Sequence, residues 1–233
     1  MIREQQKEGR RRAIIHAAET LIRETGSTNF SMVELGQRAG LSTATTYNLI
    51  GSKATVLYLL LNRCMDRVDM GGLLPRGRKN PFDHVFQAAD IAVDIYTSDP
   101  NFYRPLMRFL LGVPDPVHRP AFMKRAYRYW RIVVQGLVDG GYVRNGLEAS
   151  DLARDFQVFF AGSIDFWVHD ELDGPQFQAQ IGHGMALRLL ALGVEKFDAR
   201  LLRKIKSARR AMKQVLAFDD AAVTVEEPPH HQK

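Results

Sequence analysis

The polar side chains best placed to do chemistry in this 233-residue chain lie close together near its N-terminus: Thr43, Thr45, Tyr47 and Asn48. Hydroxyls, a phenol and an amide on one side of a short helix can meet base edges and phosphates in a major groove. Signals for catalysis are weaker. Asp165 and His169 stand at i, i+4, with Asp173 and His183 near in sequence, a spacing compatible with a carboxylate and histidine metal site. Isolated pairs of this kind are also common on helix surfaces. The sequence holds no Gly-rich phosphate loop, nucleophile elbow or paired-carboxylate motif. No catalytic residue, metal ligand or cofactor is therefore expected.

The elements that position the four polar residues are written into the stretch from Phe30 to Lys53. Ser31 followed by Glu34 is a capping box, so a helix is expected to start near Met32, with Met32, Leu35 and Ala39 as its apolar stripe. Gly40 supplies a left-handed stop. Leu41 anchors the turn, and Ser42 caps a second helix of about 43–49 that Gly51 ends. Ser52 caps a third helix from Lys53, which buries Leu57, Leu60, Leu61, Cys64 and Val68. Ahead of these, Ile14, Ala18, Leu21 and Ile22 mark a first helix closed by Gly26, and Phe30 plugs the small core from the loop.

Before that first helix stands a basic arm with Arg10, Arg11 and Arg12. It either lies along phosphates or in a neighbouring groove, adding salt-dependent affinity, or is a solvated terminus. Beyond Met70 the glycines and prolines of 71–81, with Arg76, Arg78 and Lys79, predict a loop. Helices are then expected at about 82–97 behind Asn80-Pro81, 101–111, 118–139, 152–171, 175–192 and 198–218. The 101–111 segment carries more large apolar groups than one buried stripe needs. Small residues at Ala179, Gly182, Gly184 and Ala186 permit close helix approach.

Composition sets the outer limits. Hydrophobic residues make up 45% and charged residues 25%, ordinary for a soluble globular chain able to bury a core with a cavity. One cysteine, Cys64, excludes an internal disulfide and fits a reducing cytoplasm. The polar, basic start suggests no signal peptide. No apolar run nears the roughly 20 residues a bilayer span needs, so no membrane insertion is expected. The net charge is +6, which permits nucleic-acid binding without requiring it. Residues 1–70 hold ten Lys or Arg against seven Asp or Glu, whereas 196–213 hold eight against one. That last helix is either a solvated surface helix or a contact for distant phosphates or an anionic membrane. The final 219–233, with adjacent prolines and few apolar groups, is expected to be disordered.

Over about the first seventy residues the chain resembles the TetR family of bacterial transcriptional regulators. The resemblance rests on Ala17-Ala18, Ser31, Ala39-Gly40-Leu41-Ser42, Tyr47 and Ser52-Lys53 in the family's order and spacing. It departs from the family at Leu49 and Ile50, where two aromatics are usual, at Thr46, where an aliphatic is usual, and at Gly36, where Ala is usual. These departures suggest slightly looser packing.

The resemblance implies an all-α fold: an N-terminal three-helix helix-turn-helix DNA-binding domain in residues 1–52, a linking fourth helix in 53–70, and a larger helical ligand-binding and dimerisation domain in 71–218. By the same resemblance, Ser31, Thr43, Tyr47 and Lys53 would touch phosphates, while Thr43, Ala44, Thr45 and Asn48 would face bases. Ser42 and the basic Arg10, Arg11 and Arg12 complete the expected DNA-binding set. Packing is the alternative for Tyr47 and the favoured role for Thr46. The partners implied are double-stranded DNA with a palindromic operator, a small apolar or aromatic effector, and a second copy of the chain bound through the helices at 152–171 and 175–192. Candidate effector contacts are Tyr96, Tyr103, Met107, Phe122, Tyr127, Trp130, Phe159 and Trp167, though ordinary core is the commoner role for each taken singly. Arg104, Arg108 or Arg131, if turned inward, would suit a carboxylate. A regulator without a ligand, or a ligand carrier or enzyme that does not read DNA, remains as an alternative.

Overall fold

Ten helices account for the architecture of the computed structural model, which describes residues 2–73, 80–193 and 197–212. They are α1 (Ile2–Thr25), α2 (Met32–Arg38), α3 (Thr43–Ile50), α4 (Lys53–Gly72), α5 (Pro81–Thr97), α6 (Pro100–Gly112), α7 (Arg119–Asp139), α8 (Ala149–Val168), α9 (Gly174–Leu192) and α10 (Asp198–Ala211). Among the described residues the one extended pairing is an isolated antiparallel bridge between Val143 and Gly193. No helix among them is long and apolar enough to cross a membrane.

The first three helices close over Ile14, Ala18, Ile22 and Leu35, all fully buried, with Phe30 plugging the core from the loop. Local capping fixes their ends. Ser31 Oγ accepts from the Glu34 N–H at 3.1 Å, and the Glu34 carboxylate accepts from the Ser31 N–H at 2.7 Å. Gly40 takes φ 69°, which lets the Leu41 N–H reach back to the Gly36 carbonyl at 2.8 Å. Ser42 and Ser52 cap α3 and α4 by accepting from the Thr45 and Thr55 N–H groups, each at 3.2 Å.

α4 buries Val56, Leu57, Leu60 and Leu61 and packs on α1, α5 and α7. It is therefore the element that the small N-terminal bundle shares with the larger one. α8 packs against α6, α7 and α9, and α10 lies along α9.

Three expectations need correction. The basic arm is not an arm: α1 is helical from Ile2, so Arg10, Arg11 and Arg12 ride on the helix itself. Glu, Gln, Lys and Arg are strong helix formers, and the polar segment simply continues the helix. α8 starts at Ala149 rather than 152, because the Asp151 carboxylate accepts from the Glu148 N–H at 2.9 Å. It stops at Val168, where Asp170 takes φ 64°. Residues 74–79, with Arg76, Arg78 and Lys79, the 213–218 end of the last predicted helix, and the 219–233 tail lie outside the described residues.

The basic α10 is anchored on two sides. Leu201, Ile205 and Met212 are buried, Arg200 pairs with Asp83 on α5, and Lys204 stands 4.1 Å above the Phe86 ring. Arg203, Lys206, Arg209 and Arg210 remain exposed.

Candidate nucleic-acid interface and apolar cavity

The turn between α2 and α3 sets which side chains α3 can offer. Thr46 and Ile50 face inward at 0% and 8% exposure, whereas Tyr47 is 50% exposed. Ala44 and Asn48 are also exposed, and Thr43 and Thr45 are half-buried. Thr45 Oγ1 lies 2.8 Å from Ser42 Oγ, so these two hydroxyls face each other at the start of α3. Ser31 is exposed at the start of α2. Lys53 lies over the Phe30 ring at 5.2 Å; burial pushes its pKa down, and the Glu34 charge partly opposes this. Arg10 and Arg12 are exposed on α1. Arg11 instead donates from Nε to the Leu49 carbonyl at 2.9 Å, filling an acceptor at the C-terminal end of α3. The surface is a helix N-terminus with hydroxyls, an amide and a phenol, flanked by cations from α1 and α4, a combination suited to phosphates and base edges.

The second feature is a partly open cavity of about 60 Å³ between α4, α5, α6, α7 and α8. Four of the eight residues expected to contact an effector line it: Tyr96, Met107, Phe122 and Trp130. Met65, Tyr129, Gln157 and Phe160 also line it and were not anticipated. Helical phase is the signal that could have found them. On α7, Phe122, Ala126 and Tyr129 recur at i, i+4, i+7, and on α8, Gln157, Phe160 and Ile164 recur at i, i+3, i+7.

The same phase places the other four elsewhere. Tyr103 accepts at its hydroxyl from Arg67 Nη1 at 2.6 Å and packs edge-on against Phe102. Tyr127 lies on the outer side of α7 beneath the Arg154 guanidinium at 5.3 Å. Phe159 is rotated about 100° from Phe160 and lies under Arg188 at 3.9 Å. Trp167 is fully buried and stacked on Phe177, with ring centroids 5.5 Å apart. Arg104 and Arg108 both pair with Asp170, and Arg131 is exposed, so none of the three lines the cavity.

Besides the Arg67–Tyr103 bond and a contact of His84 Nε2 with the Gly72 carbonyl at 2.9 Å, two polar connections join α7 and the residue before it to α4. Arg125 on α7 reaches Asp66 Oδ1 at 2.7 Å, Asp69 Oδ2 at 2.6 Å and the Asn62 carbonyl at 3.1 Å. Near the start of α4, Thr55 Oγ1 lies 3.3 Å from His118 Nε2. That imidazole stacks on Tyr58 at 5.2 Å and contacts Asp115 at 3.0 Å. His169 Nδ1 sits 2.9 Å from the Asp165 carbonyl, and no three His, Cys, Asp or Glu side chains gather among the described residues.

No protein-family model and no curated protein sequence matches the chain. Solved structures do. SmeT, the repressor of the Stenotrophomonas maltophilia multidrug efflux pump SmeDEF, superposes with a TM-score of 0.62 at 19% identity, over 79% of this chain and 91% of its own. TylP, a TetR regulator from Streptomyces fradiae, gives 0.60 at 17% identity over 91% and 94%. NalD, the secondary repressor of the MexAB-OprM multidrug efflux pump in Pseudomonas aeruginosa, gives 0.57 at 17% identity over 82% and 98%. The chain therefore has the all-α fold of these regulators, with an N-terminal helix-turn-helix and a larger C-terminal helical part.

Proposed function

We propose that this chain is a DNA-binding transcriptional regulator of the TetR family, a dimer whose hold on a palindromic operator is released by a small apolar or aromatic effector. The observation that carries this reading is the Arg125 clamp. It ties the cavity-bearing α7 to α4, and only Gly51 and Ser52 separate α4 from α3. An occupant that displaces α7 would drag α4, and with it the orientation of α3. Two recognition helices must sit about 34–36 Å apart to read successive major-groove faces, so a small rotation of α4 is enough to spoil the match. Coupling of this kind is typically worth about 1–3 kcal/mol.

In this reading, residues 1–52 hold the DNA-reading domain, 53–70 the link, and 71–218 the ligand and dimer domain. The second copy docks on α8 and α9, where Val158, Phe166 and Leu187 are exposed at 63%, 52% and 44%. A Cβ at Gly162 would meet nothing within 4 Å, so α8 has room for close approach. The chain acts as a repressor.

The test is a gel shift of the purified chain against the DNA upstream of its own gene, titrated with extracted cellular lipids and small aromatics. Specific binding that one fraction releases is the expected result. Binding that nothing releases would make it a regulator without a ligand, and no specific binding would overturn the DNA-reading role.

A further inference from the structure

Four side chains of the cavity wall carry polar atoms: Tyr96, Tyr129, Trp130 and Gln157. The two hydroxyls are committed, and the Trp130 indole offers one donor and no acceptor. The Tyr129 hydroxyl donates to the Ala88 carbonyl at 2.9 Å, and the Tyr96 hydroxyl is hydrogen-bonded to the Cys64 thiol. The fourth is Gln157 on α8, 4% exposed, which can both donate and accept. Its Nε2 donates to the Met123 carbonyl on α7 at 2.7 Å, and its Oε1 takes a long 3.4 Å contact from Arg154. A primary amide carries two N–H donors and an oxygen with two lone pairs. These contacts use one donor and one acceptor position, leaving one of each on a side chain that lines the cavity.

Charge points the same way. Arg104 and Arg108 are held by Asp170, and Arg154 rests on the outer ring of Tyr127. A carboxylate inside would lose its hydration with no cation lining the wall, a cost that a neutral hydroxyl or carbonyl avoids. Met65, Met107 and Met123 on the same wall are unbranched and can repack around occupants of different shape.

We infer, on the effector reading proposed above, that Gln157 is the specificity-determining residue of this cavity: it selects an uncharged, mainly apolar ligand bearing one hydroxyl or carbonyl group. The ligand's polar group meets the free N–H or lone pair of the amide, and the methionine and aromatic side chains move apart to widen the 60 Å³ space around the rest of the molecule.

The experiment measures binding of three matched probes, propylbenzene, 4-propylphenol and 4-propylbenzoate, to the full chain by calorimetry and by melting-temperature shift. The same measurements are made on Gln157→Met and Gln157→Leu. In the parent, 4-propylphenol binds about 2- to 10-fold tighter than propylbenzene, the worth of one net hydrogen bond, and 4-propylbenzoate binds weakest. In either variant that folds, propylbenzene still binds and the phenol's advantage disappears. Equal binding of phenol and hydrocarbon by the parent overturns the role of Gln157 while leaving the effector cavity standing, and so does an advantage that survives in the variants. Tightest binding of the benzoate overturns it in favour of Arg154 as an anchor. Binding of none of the three overturns both this inference and the effector reading on which it rests.

Discussion

A Cβ placed on Gly36 would stand 2.9 Å from the hydroxyl of Thr46 and 3.0 Å from the Leu41 carbonyl. Both residues depart from the pattern that the N-terminal domain otherwise follows, and from sequence each suggested looser packing. They compensate for one another. Thr46 is fully buried and donates from Oγ1 to the Ser42 carbonyl at 3.0 Å, and Gly36 leaves the space that hydroxyl occupies. Gly36→Ala should therefore lower stability by about 1–3 kcal/mol through overpacking. Gly36→Ala with Thr46→Ala should cost less than the sum of the two single changes. Urea unfolding of the four proteins checks this, and simple additivity would show that the two sites do not interact.

Arg125 offers a second stability test with a functional readout. Asp69 is 25% exposed at its side chain and receives two of the guanidinium nitrogens, a geometry that lysine cannot reproduce. Arg125→Lys should cost about 1–2 kcal/mol, the scale of losing charge-assisted hydrogen bonds at a partly exposed site. If the clamp transmits the signal, the variant should still bind DNA and its cavity probes while release by the effector weakens. Unchanged release with reduced stability would make Arg125 a purely structural tie.

How much of this was legible in the sequence depended on how local the cause was. The ends of α2, α3 and α4 could be read because Ser31 with Glu34, Gly40, Ser42 and Ser52 act within one turn of themselves. The start of α1 was misjudged because a charged stretch looks the same on a helix as on a free arm. The cavity was half legible. An aromatic in an apolar stripe is buried whether it packs core or lines space, and two residues, a turn of about 200°, separate Tyr127 outside from Tyr129 within. Gln157 carried no signal of its own, since its partner Met123 lies 34 positions away on another helix.

Alkali should unfold the protein through groups that burial keeps neutral. The Cys64 thiol, 3% exposed, is pushed by burial from 9.0 up to about 12, and burial likewise moves Tyr103 from 10.0 to about 12. Because the folded-state values are raised, their stabilising contribution is complete below about pH 9 and is lost as pH climbs toward 12. Urea midpoints should hold level to about pH 9 and then fall. At pH 8 a thiol reagent should label Cys64 only at the rate at which the chain opens, and rapid labelling of the native protein would contradict this burial.

On the DNA-reading surface, two kinds of contact should separate by salt. Asn48→Ala removes an exposed group on α3, so melting temperature should barely move while operator affinity falls by about 1–3 kcal/mol. Lys53→Gln and Arg12→Gln should weaken specific and non-specific DNA alike, each reducing the salt slope by about one. Titrations at several salt concentrations on operator and scrambled DNA distinguish the two patterns. Equal losses on both DNAs for Asn48→Ala would take that residue out of base reading.

The proposed dimer face makes the most direct prediction. Val158, Gly162 and Phe166 recur at i, i+4, i+8 on α8, and two of the three are large apolar groups facing solvent in the single chain. Because Phe166 is 52% exposed there, Phe166→Asp removes little from the monomer's own core and should leave it folded. In a dimer the same change would bury an unpaired carboxylate against its own symmetry copy, at a cost of several kcal/mol. Sedimentation of the parent should give twice the 26.4 kDa chain mass, and the variant should sediment as a single chain at micromolar concentration with its helical content unchanged. Operator affinity should fall along with it, since one chain reads only half of a palindrome. A variant that remains dimeric would place the interface on another face, and a parent that sediments as a monomer would remove the dimer from the mechanism altogether.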